Sequence, residues 1–128
     1  MKVLVVDDMP LMRHVLINML RKLNFEHITE ATDGKQALAL MQKQAFDLVI
    51  TDLHMPKMDG KTLLTRIRED LILSDTPVLM VTCEDNKKSI KEIIAAKVTG
   101  FIIKPFNLNT LENQLKKINK VPEPKPDC

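Results

Sequence analysis

The sequence predicts an α/β fold, a doubly wound parallel sheet of five strands with helices on both faces. Three observations carry that expectation. Val3-Leu4-Val5-Val6, Leu48-Val49-Ile50-Thr51, Val78-Leu79-Met80-Val81 and Phe101-Ile102-Ile103 are short apolar runs rich in β-branched residues, the signature of strands buried on both faces. Amphipathic stretches of helical period alternate with the strands on short connections, which implies right-handed βαβ crossovers. With 128 residues, 45% hydrophobic and 28% charged, the chain has the length and balance of one soluble domain with a single sizeable core.

In chain order, the first run ends in Asp7-Asp8, and Pro10 suits the first turn of a helix. The inward face of that helix is predicted to carry Met12, Val15, Leu16, Met19, Leu20 and Leu23. His27-Ile28-Thr29-Glu30-Ala31 alternates more than the other strands, as a half-exposed edge does. Asp33 followed by Gln36 resembles a capping box for a helix holding Leu38 and Met41. After Asp52, His54-Met55-Pro56-Lys57-Met58-Asp59-Gly60 must be a loop, and a third helix follows with Leu64, Ile67 and Leu71 inward. Thr76-Pro77 introduces the fourth strand, and Asp85 or Asn86 is expected to cap a helix burying Ile90, Ile93 and Ile94. Gly100 opens the fifth strand; Asn109 with Glu112 offers a box for a last helix carrying Leu111, Leu115 and Ile118.

The methionines fall mostly on inward positions, where core filling is their expected job. No repeat and no second domain are visible: residues 1–120 are expected to form one domain and 121–128 a flexible, Pro-rich tail. The expected architecture is a flavodoxin-like (βα)5 three-layer sandwich with strand order 2-1-3-4-5.

Composition narrows the function. No apolar stretch approaches a membrane span, and Met1 leads almost directly into the first strand. No membrane role and a cytoplasmic location are therefore expected. Cys83 and Cys128 do not make a disulfide framework and are read as reduced thiols. A net charge of +2 does not argue for direct nucleic-acid binding. The charge is uneven, however: residues 1–86 carry 10 basic and 13 acidic side chains, residues 87–128 carry 9 and 4. The basic excess on the last two helices reads either as a solvated face or as a surface for an acidic partner.

The chemistry lies at the strand ends. In an open α/β sheet the carboxyl ends of the strands line the ligand crevice, so Asp7, Asp8, Asp52, Thr82 and Lys104 converge. Carboxylates so close raise one another's pKa unless a cation intervenes. Mg²⁺ suits the need because it binds through few carboxylates and keeps positions for water or phosphoryl oxygens. Asp52, alone at the end of the central strand, is the candidate nucleophile for phosphorus. Lys104 offers a point charge and Thr82 a hydroxyl for the phosphoryl oxygens.

Asp7-Asp8, Asp52-x-x-Met55-Pro56 with Asp59-Gly60, Thr82 and Lys104-Pro105-Phe106 together resemble the receiver domain of two-component response regulators. The match covers about residues 2–120, and without a visible output domain the chain is most similar to single-domain chemotaxis (CheY-like) regulators. The resemblance implies that a histidine kinase phosphorylates Asp52, with Mg²⁺ held directly by Asp8 and Asp52, through water by Asp7, and by the backbone carbonyl of His54. It implies a cis Lys104–Pro105 peptide and a switch made of Thr82 and Phe101. The switch remodels the surface of the fourth helix, fifth strand and fifth helix, where Lys87, Lys88, Lys91, Phe101, Gln114, Lys116 and Lys117 stand. The target expected is a protein such as the flagellar motor switch or another signalling component, and the chain itself a monomer. It is not expected to be an enzyme beyond its own phosphorylation and dephosphorylation.

Four features depart from the family pattern or leave it open. Cys83 stands where relatives usually have Ala or Gly, which narrows access to the phosphoryl group. His54 and Glu84 occupy positions that tune dephosphorylation. Phe101 lacks the hydroxyl of a tyrosine, and Gln114 replaces the Lys often found in motor-binding regulators.

Other classes fit less well. An aspartate-nucleophile phosphatase needs a second Asp two residues beyond the first, where His54 stands. A flavin binder needs a phosphate loop rich in Gly, Ser and Thr after the first strand, where Asp7-Asp8-Met9-Pro10 stands. His14, His27 and His54 lack zinc-ligand spacing. A receiver cut from a larger transcriptional or enzymatic regulator remains the architectural alternative, since Pro122-Glu123-Pro124-Lys125-Pro126 reads as a linker start.

Overall fold

Three of the four apolar runs become the inner strands of the sheet, while the fourth, Phe101-Ile102-Ile103, lies on an edge and is only part-buried. In a computed structural model, which describes residues 1–83 and 87–122, β1 (Lys2–Val6), β3 (Leu48–Asp52) and β4 (Val78–Thr82) are buried almost throughout. That is what continuous runs of Val, Leu and Ile demand of a sheet covered on both faces. The edges are β2 (His27–Ala31) and β5 (Gly100–Ile103), both only part-buried. Every pairing is parallel, and the strand order is β2-β1-β3-β4-β5. Register sets Val6 beside Thr51, Asp52 beside Val81 and Thr82 beside Ile103. Four strand ends therefore finish level, and the residues that follow them share one edge.

Alternation along each strand divides the core in two. On one face Val3, Val5, Ile50, Leu79 and Ile102 meet α1 (Pro10–Lys22) and α5 (Leu108–Lys117) through Leu16, Ile17, Leu20, Leu111 and Leu115. On the other face Leu4, Val6, Val49, Val78 and Met80 meet α2 (Gly34–Lys43), α3 (Gly60–Glu69) and α4 (Lys87–Ala95). Apolar area buried on both faces supplies most of the drive to fold.

Helix ends show why some sequence expectations shift. Val15 is 37% exposed and Ile17 is 6%, because the buried arc of α1 centres on Leu16, Ile17 and Leu20. Leu71 is 98% exposed rather than inward. α3 stops at Glu69, and the Asp70 carboxylate accepts from the amides of Ile72 and Leu73 at 2.8 and 3.0 Å, turning the chain away. On α4 only Ile93 is fully buried; Ile94, one residue further round the helix, is largely exposed.

The last helix begins earlier than predicted. Asn107, not Asn109, caps it by accepting from the Thr110 amide at 2.9 Å. Asp33 caps α2 as expected, accepting from the Gln36 amide at 2.8 Å. Gln36 Oε1 then reaches back to the Thr32 amide at 2.7 Å, one residue beyond a standard box. The caps expected at Asp85 or Asn86 lie outside the described residues.

Three helices end in one way: Asn24, Lys97 and Asn119 adopt φ of 72°, 65° and 59°. The following amide of Phe25, Val98 or Lys120 bonds back to Leu20, Ile93 or Leu115. Arg68 fastens the far end of the sheet, donating to the carbonyls of Lys97, Ser74 and Thr76 and to Thr99 Oγ1.

Candidate functional site

The strand ends bring Asp7, Asp8 and Asp52 together, with one carboxylate oxygen from each within 4.8 Å of the others. Asp7 is 5% exposed, Asp52 partly buried and Asp8 exposed. Asp7 follows β1 directly; its amide donates to the Ala31 carbonyl at 3.1 Å, extending the β1–β2 pairing by one residue. Its Oδ1 accepts from the Met9 amide at 2.9 Å, a local turn that Asp favours. Asp52 ends β3, and its Oδ1 accepts from the Leu53 amide at 2.9 Å.

Lys104 arrives from the end of β5, its amide donating to the Thr82 carbonyl at 2.7 Å. Its ammonium lies 3.3 Å from Asp52 Oδ1 and 3.5 Å from Asp7 Oδ2. The Lys104–Pro105 peptide is cis, as the family resemblance implied. Burial pushes the Asp52 carboxyl above its ordinary value; the Lys104 charge opposes this, the Asp7 charge adds to it, and hydrogen bonds from Lys104 and Leu53 oppose it. One ammonium among three carboxylates leaves the cluster net negative.

These residues fit a hard divalent cation. The donors are all carboxylate oxygens, the spread is that of a single coordination sphere, and a cation there would relieve the burial and repulsion that act on Asp52. His54 lies beside them: Asp8, His54, Met55, Pro56 and Asp59 line one shallow depression.

The loop that carries His54 is seated by a feature the sequence reading passed over. The Gly34 amide donates to the Met58 carbonyl at 3.0 Å, and a Cβ on Gly34 would lie only 2.7 Å from that oxygen. Lys57, at a φ of 67°, extends to within 3.9 Å of Asp33. Gly60 is equally constrained, since a Cβ there would collide with the Asp52 carbonyl oxygen.

The remaining predicted residues also find places. Thr82 is 1% exposed at the end of β4. Phe101 is part-buried against the face that holds Met80 and Ile93. Lys87, Lys88, Lys91, Lys116 and Lys117 are exposed on α4 and α5. Gln114 is half-buried, its Oε1 lying over Gly100 of β5. Cys83 is an exposed free thiol. Glu84 and Cys128 lie outside the described residues.

Two further side chains were missed. Arg13 Nη1 donates to the Asp7 carbonyl at 2.8 Å while Nε pairs with Glu30 at 2.8 Å. Lys61 of α3 pairs with Glu92 of α4 at 2.9 Å, and that bond holds the Glu92 carboxyl below its usual value. Neither pair has a local sequence signal, because the partners are 17 and 31 residues apart.

The chain belongs to the response regulator receiver domain family, which it matches over residues 3–116. Members of this class are signalling proteins of two-component systems rather than enzymes of the usual kind, and receiver domains bind Mg²⁺ at an acidic pocket. Among curated proteins the chain is 47% identical to chemotaxis protein CheY-3 of Vibrio cholerae over 118 residues, 92% of this chain and 91% of that one. It is 42% identical to chemotaxis protein CheY of Pseudomonas aeruginosa, covering 92% and 95%. Among solved structures, CheY4 of Vibrio cholerae superposes with a TM-score of 0.84 at 36% identity, over 91% of this chain and 97% of that one. The chain is thus a receiver of the CheY type. No helix among the described residues is long and apolar enough to cross a membrane.

Proposed function

We propose that this protein is a phosphorylation-switched messenger: Asp52 accepts a phosphoryl group from a histidine kinase, and the α4–β5–α5 surface then binds a protein target. The observation that carries this reading is the cluster itself, a part-buried carboxylate of raised pKa beside two more carboxylates and one lysine. A carboxylate with weakened solvation is a better nucleophile. Leu53 and Lys104 both bond Oδ1, so Oδ2 is the attacking oxygen. Its bond to phosphorus forms as the bond from phosphorus to the donor imidazole nitrogen breaks, and the departing imidazole takes up a proton.

Asp8, Asp52, the His54 carbonyl and, through water, Asp7 would hold Mg²⁺, which when bound would supply positive charge for the phosphoryl oxygens. Lys104 adds a second charge, pairing with a phosphoryl oxygen once Asp52 is esterified. The Thr82 hydroxyl donates to another, and Phe101 turns inward to fill the space the threonine leaves. His54 and Glu84 flank the approach of the hydrolytic water and set the lifetime of the acyl phosphate. Lys87, Lys88, Lys91 and Lys117, with Phe101 and Gln114, form a basic, part-apolar surface suited to an acidic segment of a protein target, such as the flagellar motor switch or another signalling protein.

Incubation with acetyl phosphate and Mg²⁺, followed by intact mass measurement, tests the reading. One added phosphate is expected, and none in Asp52→Asn. An adduct that survives that substitution overturns it. Lys104→Ala is expected to accept phosphate while losing the phosphate-dependent change in amide exchange over residues 87–120.

A further inference from the structure

The geometry points to Arg13 as the residue that positions the cation-binding loop. The inference rests on reading Asp7, Asp8 and Asp52 as the Mg²⁺ site, and it goes beyond the ligands to what holds them.

Asp7 is fixed at every polar atom. Its amide bonds the Ala31 carbonyl, Oδ1 takes the Met9 amide and Oδ2 faces the Lys104 ammonium. Its carbonyl lies past the last registered pair of the β1–β2 ladder, Val6 with Ala31. Arg13 Nη1 meets that carbonyl at 2.8 Å. The same guanidinium is held from the other side by Glu30 of β2 at 2.8 Å, and the Arg13 side chain is only 16% exposed. One planar fork thus joins the first turn of α1, the end of β1 and strand β2, a task a lysine's single ammonium cannot reproduce.

The Asp7 carbonyl and the Asp8 amide belong to one rigid peptide plane. Fixing the carbonyl therefore fixes the Cα of Asp8, the exposed member of the cluster, which has little packing of its own. Arg13 touches neither cation nor phosphoryl group; it acts through the backbone that presents Asp8.

Charge alone predicts the opposite sign, and that makes the idea testable. Removing a positive group near an acidic cluster strengthens its attraction for a cation. Loss of positioning weakens binding, by about 10-fold where supporting contacts of metal ligands have been removed in general. Calorimetric Mg²⁺ titration of the whole protein should show Arg13→Gln and Arg13→Lys binding about 10-fold more weakly than wild type. Glu30→Gln, which leaves the bond to the Asp7 carbonyl in place, should lose less.

Amide exchange in metal-free protein gives a readout independent of the cation. The Asp7 and Met9 amides, bonded to the Ala31 carbonyl and to Asp7 Oδ1, should exchange faster in both Arg13 variants, while Leu4 and Ile50 keep their protection. Equal or tighter Mg²⁺ binding by Arg13→Gln, or unchanged exchange at Asp7 and Met9, overturns the proposal. Wild-type protein that binds no Mg²⁺ overturns the cation-site reading and this inference with it; normal wild-type binding with an indifferent Arg13→Gln overturns this inference alone.

Discussion

Asp7 and Asp52 stand at the ends of β1 and β3, inner strands covered by helices on both faces, whereas Lys104 follows the edge strand β5. α3, beside Asp52, seats Gly60, Leu63, Leu64 and Ile67 in the core. α4, beside β5, buries Ile93 alone and is tied to α3 by a surface ion pair, Lys61 with Glu92. β5 has one fully buried residue, Ile102, and leaves Phe101 part-buried. The difference is physically sensible for a switch. On the proposed reading, the carboxylates that hold a fixed geometry sit where opening costs most, and the surface that moves sits where few buried contacts resist it.

The largest test sets the two halves against each other. Leu64→Ala should cost about 2–5 kcal/mol of global stability in urea unfolding, as cavity-forming changes in a tight core do. Ile93→Ala should instead loosen α4 locally, speeding amide exchange over residues 87–95 and leaving β1 and β3 protected. Protection lost across both strands would break the comparison. Next in size, Gly60→Ala must push α3 away from the Asp52 carbonyl, costing about 1–3 kcal/mol and slowing acetyl-phosphate labelling.

A smaller effect comes from pH. The folded pKa of Asp52 is raised, chiefly by burial, so the unfolded chain releases that proton first. Its contribution to stability therefore falls as pH rises from the ordinary carboxylate value through the raised one. Without divalent cations, Asp52→Asn should gain on wild type across that interval, and added Mg²⁺ should shrink the gain. A wild type that gains on the variant with rising pH would show that Lys104 outweighs burial. Smallest of all, Lys61→Ala should cost little global stability, an effect screened by salt, yet raise exchange in α4 more than in α3.

The strands were legible because four are nearly uniform apolar runs and the fifth alternates; their order followed from the general doubly wound pattern and not from the residues. The carboxylate cluster, Thr82 and Lys104 followed from where those runs stop. Helix faces were read less well. Val15 and Ile94 are apolar by composition, but only packing against the sheet decides which arc of a helix turns inward. Leu71 lies past a stop made by Asp70, which carries no strong punctuation in the sequence. The start of α5 turned on which of two asparagines, Asn107 or Asn109, had its side chain aimed at a free amide. Arg13 and Gly34 escaped notice because both act on backbone atoms of distant segments, and carbonyl oxygens leave no trace in a residue pattern.

Lys104 gives the site a counterion that cannot diffuse away. One ammonium lies between Asp7 and Asp52 at 3.5 and 3.3 Å, standing in for a mobile cation before one arrives. On the proposed reading, a divalent ion taking over the carboxylates would free the lysine from its partners but not from the crevice. Its tether through β5 keeps it within reach of any new negative charge on Asp52. On the proposed reading, metal arrival therefore leaves a free positive charge waiting where the phosphoryl oxygens will appear, and the strand carrying that charge is the one through which the message leaves.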